Sequence, residues 1–253
     1  MIIDAPHECH VSGLRRLWQE AFGDTDAFLD VFFETAFSVQ RCRCVTQNDE
    51  VAAALYWFDC SCRDRKMAYL YAIATAKAHR GQGLCSTLMR DTHKHLTEQG
   101  YSGAVLVPGS TSLFDFYRNM GYQNSGGMEE FCCTAASSGT PLRRIDIKEY
   151  AERRRALLPV GGVVQERENL TFLQTQATLY AGDGFLLVAR GEGTTLYCAE
   201  LLGDRTQAPA IVKSLGYTTG KFRVPGETTP FAMYLSLDHQ ETPPPDYFGL
   251  AFD

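Results

Sequence analysis

No stretch of this sequence is apolar enough to cross a bilayer, which takes about 18 uncharged residues or more, so no membrane partner is expected. No secretory leader is expected either. A secretory signal needs a basic start and an apolar run of at least about 7 residues, whereas the chain opens MIIDAPHECH, with acids at Asp4 and Glu8. The expectation is a cytoplasmic protein. Positive charge is also scarce: 24 Lys and Arg stand against 30 Asp and Glu, a net charge of −6. Residues 1–135 carry 12 basic and 16 acidic side chains, and residues 136–253 carry 12 and 14. Neither part has the basic footprint that a phosphate backbone requires, so no nucleic-acid partner is expected.

Zinc-type spacing is absent from the nine cysteines. Cys42-x-Cys44 and Cys60-x-Cys62 flank a hairpin that turns at Asn48-Asp49. A two-residue turn sets Cys42 opposite Leu55 and Cys44 opposite Ala53, which leaves Cys60 about 16 Å further along the strand at roughly 3.3 Å per residue. The pairs do not converge, and C-x-C is not the usual zinc spacing. They read as small apolar strand residues, and no metal is expected. Cys132 and Cys133, being adjacent, point to opposite faces of any strand. An odd count without a leader argues against disulfides.

What is present describes a globular protein. The chain is 45% hydrophobic and 21% charged, which excludes disorder, a coiled coil and a collagen-like fibre. At roughly 150 residues per domain, its length allows about 1.7 domains. Helical spacing predicts a helix over 12–22, capped by Ser12 and ended by Gly23, and a second capped by Asp24 or Thr25. A hairpin over 41–59 follows. Residues 67–74, apolar on both sides, read as a buried central strand. A helix from Leu84 to Gly100, a short strand over 104–107 and a helix over 111–120 complete a strand–helix–strand unit with a right-handed crossover. The uncharged stretch AASSGTP (135–141) reads as a linker. Beyond it lie a basic helix over 145–158, strands over 185–189 and 194–201, a helix from Asp204 to Leu215, and strands over 217–224 and 231–237. The fold class is α/β with a mixed α+β sheet. The expected domains are 1–135 and 141–253, each with a strand, a helix, then Met-Gly-Tyr or Leu-Gly-Tyr and a final strand.

Chemistry concentrates between the buried strand and its helix, at Arg80-Gly81-Gln82-Gly83-Leu84-Cys85. Glycines let a ligand approach the backbone closely, and the first N–H groups of the helix lack internal partners. With the helix dipole and Arg80 they form a cradle for an anion, most naturally a pyrophosphate. Two nucleotide-binding patterns do not fit: Ser86 occupies the third glycine position of the dinucleotide fingerprint, and no Gly-Lys-Ser/Thr follows.

The segment Tyr69–Tyr122 resembles the core of the GCN5-related N-acetyltransferase (GNAT) family, whose acetyl-CoA signature is Gln/Arg-x-x-Gly-x-Gly/Ala. Arg80 and Gly83 match, and Cys85 replaces the last small residue. The resemblance implies a GNAT fold and acetyl-CoA as cosubstrate. It assigns the cofactor to Arg80, Gly81, Gln82, Gly83, Leu84 and Cys85, with backbone groups of Ile73, Ala74 and Thr75 holding the acetyl carbonyl and pantetheine. The family then expects Asn-x-x-Ala-x-x-x-Tyr and Gly-Phe/Tyr. Here Ser110 and Leu113 stand for the Asn and Ala, while Tyr117 and Gly121-Tyr122 match. Chains with a second, degenerate copy of the fold resemble the enhanced-intracellular-survival acetyltransferases, and residues 141–253 suit such a copy, with no Arg-Gly-x-Gly loop.

The implied reaction is direct attack of a primary amine, on a small molecule or peptide, at the thioester. Tyr117, protonated at neutral pH, would be the acid for the leaving thiolate; a buried packing tyrosine is the alternative. The base is not identified. Glu20, Asp24, Asp26, Asp30 and Glu34, with no Lys or Arg over 17–40, could form a negative rim for a cationic amine or simply a solvated helix face. In the group named above the terminal carboxylate can reach the active site; Asp253 carries it here, with Tyr247-Phe248 as a dock. His93 and His95, two apart on a helix, cannot share a face, and His79 could touch a CoA phosphate or simply lie on the loop surface. A catalytically inactive acyl-CoA-binding or scaffolding protein stays open as the alternative function, and so does a homo-oligomer.

Overall fold

The architecture is taken from a computed structural model that describes residues 1–238 and 242–251. After an edge strand β1 (Ile2–Asp4), helix α1 (Val11–Phe22) buries Leu14, Leu17 and Trp18 and stops where Gly23 turns left-handed at φ +76°. Ser12 is not its cap. A single 3₁₀ turn over Glu8–His10 leads in instead, so the helix begins at Val11. Thr25 caps α2 (Asp26–Thr35) by accepting from the Phe28 N–H at 3.3 Å.

The hairpin β2 (Cys42–Gln47) and β3 (Glu50–Cys62) turns on Asn48 and Asp49, both at positive φ. Gln47 faces Glu50 and Thr46 faces Val51, as a two-residue turn requires. A bulge after Val45 then shifts the register by one, so Cys42 faces Tyr56 and Cys44 faces Ala54, not Leu55 and Ala53. Next come β4 (Arg65–Thr75), α3 (Leu84–Glu98), β5 (Gly103–Leu106), α4 (Thr111–Arg118) and β6 (Gln123–Thr134). The rest of the chain is β7 (Leu142–Arg144), α5 (Ile147–Leu157), β8 (Val164–Gln165), α6 (Glu168–Gln176), β9 (Thr178–Gly182), β10 (Phe185–Glu192), β11 (Thr195–Gly203), α7 (Ala208–Ser214), β12 (Thr219–Pro225) and β13 (Thr229–Ser236).

Among the described residues these strands form one 13-stranded sheet, ordered β1-β2-β3-β4-β5-β13-β6-β12-β11-β10-β9-β7, with β8 added to β3. The β4–β5 and β11–β12 pairs are parallel, each linked through a helix, so the same strand–helix–strand arrangement recurs in the two parts of the chain. The two units exchange strands. The last strand of the chain, β13, lies between β5 and β6 of the first unit, and β6 continues across to pair with β12 of the second. Each unit has a core on both sheet faces. In the first, α1, α2 and an aromatic set cover one face, while α3, Tyr117 and Tyr122 cover the other. Phe172 of α6 reaches from the second unit into the first aromatic set, 5.5 Å from Phe28 and from Phe32. No helix among the described residues is long and apolar enough to cross a membrane.

Candidate active site

Strands β4 and β5 pair from Met67↔Gly103 to Leu70↔Leu106 and then part. Beyond Leu70, β4 runs to Thr75 with β3 on one side and, among the described residues, no strand on the other. A bulge sharpens the divergence. Leu55 of β3 faces both Ala72 and Ile73, and Ala72 is forced to φ +49°, a left-handed conformation that a residue with a Cβ rarely adopts. Strain of this kind persists where the surrounding structure over-determines it, which is common at ligand sites. Because β5 pairs no further than Leu70, one edge of Ile73, Ala74 and Thr75 has no strand partner among the described residues, and their backbone polar groups stand beside the gap. The Thr75 hydroxyl is buried without a partner, and its carbonyl accepts from Arg80 Nε at 3.1 Å.

The gap opens onto the glycine loop. Gly81 and Gly83 have φ of +76° and +75°, and a Cβ at either would meet nothing within 4 Å. Their conformation, rather than crowding, requires glycine, and the loop faces open space. Gly83 caps α3 without a side-chain bond, and the first turn closes with Thr87 N–H on the Gly83 carbonyl at 3.0 Å. The N–H groups of Leu84, Cys85 and Ser86 precede that bond and have no partner within the helix. Arg80 is exposed beside them, and Gln82 folds its amide back onto the Ala78 carbonyl at 3.3 Å. Leu84 is buried; Cys85 is partly buried, its thiol pushed up to about 11 by desolvation. The loop, the helix end and the open edge of β4 therefore lie together.

Across the gap, Ser110 sits exposed at the start of α4, its hydroxyl 3.0 Å from that of Ser112 and not capping the helix. Tyr117, on the last turn of α4, is 6% exposed and packs in the same core as Leu84, Leu88 and Cys85. Its hydroxyl has no hydrogen-bond partner among the described residues. Burial, with Cys85 adding to it, raises its pKa above the usual tyrosine value, so the group stays protonated. Behind it, 5.7 Å between ring centres, stands Tyr122, whose hydroxyl meets His93 Nε2 at 2.8 Å. Desolvation, then nearby Arg90, lowers the His93 pKa to about 4, so the ring is neutral. Nothing in the sequence singled out this pair, because 29 residues separate its members.

The acidic stretch on α1 and α2 is largely occupied. Asp24 accepts from Trp18 Nε1 at 2.8 Å, Asp26 from Gln19 at 2.7 Å, and Asp30 pairs with Arg15 at 2.6 Å. Glu20 accepts from the Lys77 N–H and so ties α1 to the loop. The helix-face reading of these acids fits this better than a free negative rim. In the second unit, Asp204 stands at the corresponding strand-to-helix turn. Its carboxylate accepts from the Thr206 N–H at 3.0 Å, the Thr206 hydroxyl at 2.6 Å and Gln207 at 3.2 Å. It caps the 3₁₀ turn Arg205–Gln207, which leads into α7. Asp253 lies outside the described residues.

Residues 3–124 match the family model of an acetyltransferase (GNAT) domain. N-acetyltransferase family 8 member 2 of Rattus norvegicus is 36% identical over 64 residues, 24% of this chain and 28% of that protein. The chain therefore spans less than a third of the length of that curated relative. Eis1 of Mycobacterium abscessus superposes with a TM-score of 0.67 at 11% identity, over 94% of this chain and 74% of that one. A tandem GNAT protein from the clavulanic acid biosynthesis pathway superposes with a TM-score of 0.58 at 10% identity, over 94% of this chain and 98% of that one.

Proposed function

We propose that the chain, whose residues 3–124 match a GNAT acetyltransferase domain, transfers an acetyl group from acetyl-CoA to a primary amine by direct attack. The observation that carries this reading is the placement of the unpaired β4 edge, the Gly81–Gly83 helix end and Tyr117 around one gap. In this reading the N–H groups of Gly81 to Ser86, with Arg80, hold the pyrophosphate. The pantetheine lies along Ile73–Thr75, where β4 has lost its partner. That edge fixes the thioester carbonyl by backbone hydrogen bonds, which count most as negative charge develops on the oxygen. Tyr117, kept neutral by burial, donates its proton to the departing thiolate. Ser110 borders the cofactor at the head of α4. Nine free cysteines, four of them packed as apolar side chains of β2 and β3, support a reducing, cytoplasmic setting.

Thiol release from acetyl-CoA across a panel of amines tests the reading, with wild type beside Tyr117→Phe. Amine-dependent release that falls about 10²-fold or more in the variant is expected for a lost general acid. Binding of acetyl-CoA without release on any amine would instead assign an acyl-CoA-binding role. Equal rates for the two proteins would remove Tyr117 as the acid.

A further inference from the structure

Tyr117 stands where α4 closes, and the closure is tight. Gly121, at φ +94°, reverses the chain, and its N–H donates to the Arg118 carbonyl at 2.9 Å. The next N–H, that of Tyr122, reaches back to the Tyr117 carbonyl at 3.1 Å, and the Met120 N–H meets the same oxygen at 3.0 Å. This is the Schellman closure of a helix, in which the residue beyond the glycine packs on the residue whose carbonyl it takes. Here those two residues are Tyr122 and Tyr117, and their rings meet edge to face with centres 5.7 Å apart. Backbone and side chains join them into one body, so a shift of Tyr122 is passed on to Tyr117.

A second element grips that body. Tyr122 is buried, and its hydroxyl meets Nε2 of His93, on α3, at 2.8 Å. Packing does not require this bond. A phenylalanine at 122 would make the same edge contact with Tyr117, and it would bury no hydroxyl beside an imidazole nitrogen, groups that are costly to place in a core. What the bond supplies is a fixed spacing between α3 and the end of α4. His93 lies ten residues, about 15 Å, beyond Gly83 along the helix whose first turn faces the gap. Helix α3 therefore holds the anion cradle at its N-terminus and, through His93, the closing turn of α4. The Tyr117 hydroxyl has no hydrogen-bond partner among the described residues, so packing and this turn alone set where it points.

We propose that Tyr122 is a positioning residue for the acid step and His93 its anchor on α3, the pair fixing the Tyr117 hydroxyl against the cofactor loop. The proposal rests on Tyr117 as the acid; the His93–Tyr122 lock rests on geometry alone. Tyr122→Phe and His93→Leu should each lower kcat about tenfold, part of the roughly hundredfold that losing the acid itself costs. The acetyl-CoA Kd by calorimetry should stay within about twofold of wild type, because the loop is untouched. His93→Gln, whose amide can still bond the hydroxyl, should recover most of the loss. A role in stability alone would act whether or not Tyr117 is there to donate. The cycle therefore decides: in a Tyr117→Phe background, Tyr122→Phe should leave the residual rate unchanged within about twofold. Amide exchange read by NMR gives a measure free of turnover, and His93→Leu should speed it at Gly121 and Tyr122, whose N–H groups close the turn. Wild-type kcat in Tyr122→Phe, the same tenfold loss in both backgrounds, or unchanged exchange at Gly121 and Tyr122 would overturn the proposal. Equal rates for wild type and Tyr117→Phe would instead overturn the acid reading on which it rests, and the exchange result would still decide the lock.

Discussion

Cutting the chain in its linker should destroy the first unit rather than release it. A fragment ending at Ser138 loses β13, which lies between β5 and β6, and so splits the sheet beside the cofactor gap. Among the buried side chains it also loses from the first unit's cores are four large ones, Phe231, Met233, Phe172 and Phe248, none more than 6% exposed. At about 1.5–3 kcal/mol for each such side chain, the loss is roughly 6–12 kcal/mol. A folded domain is stable by only about 5–15 kcal/mol in total, and the cut also leaves one edge of β5 and both edges of β6 unpaired. The fragment should show no cooperative melt by near-ultraviolet circular dichroism and no calorimetric binding of acetyl-CoA. Supplying residues 139–253 in trans should restore both. A fragment that melts cooperatively and binds acetyl-CoA as the full chain does would refute the claim that the units complete each other.

Other consequences follow from buried polar groups. Arg154→Met strands the buried Glu200 carboxylate, which Arg154 Nε meets at 2.8 Å, and should cost about 3–5 kcal/mol in denaturant unfolding, whereas a cost under about 1 kcal/mol would mean that the two are not a buried pair. His93 has a folded pKa of about 4, below the roughly 6.5 of an unfolded histidine. The unfolded chain therefore binds the extra proton between those values, and stability should fall by up to roughly 3 kcal/mol as pH drops from 6.5 to 4. Melting scans of wild type and His93→Gln should differ in slope only in that window. Tyr117, raised by burial and then by Cys85, keeps its proton beyond the ordinary tyrosine range. The pH profile of kcat/KM should then show no alkaline fall caused by this group below about pH 10, and an alkaline limb near pH 8 that vanished in Tyr117→Phe would contradict the assignment.

The place of the glycine loop between strand and helix was legible because its signals are local. Arg80 to Cys85 sits between a two-sided apolar strand and a helix, and Tyr117 follows at a fixed spacing, so pattern and chain order sufficed. Three features were not legible, each for a physical reason. The bulge after Val45 depends on packing rather than on turn length, and it moved the partners of Cys42 and Cys44 by one. Helix α6 and strand β9 escaped because Leu170, Phe172 and Leu173 fit no single period cleanly. The place of β13 between β5 and β6 is set by residues more than a hundred positions away, which no local pattern encodes. The Arg154–Glu200 ion pair hid for the same reason: in sequence, Arg154 is one of three consecutive arginines, and only the fold tells which of them is buried.

Calorimetry with acetyl-CoA on wild type and Gly83→Glu tests the central claim most directly. Gly83 opens α3 at φ +75° with its Cβ direction free, so a glutamate there strains the turn and sets a negative charge against the phosphates without disturbing the core. The account predicts saturable one-site binding to the wild type and no measurable binding to a variant that still melts cooperatively. Equal affinity in the two proteins would contradict it.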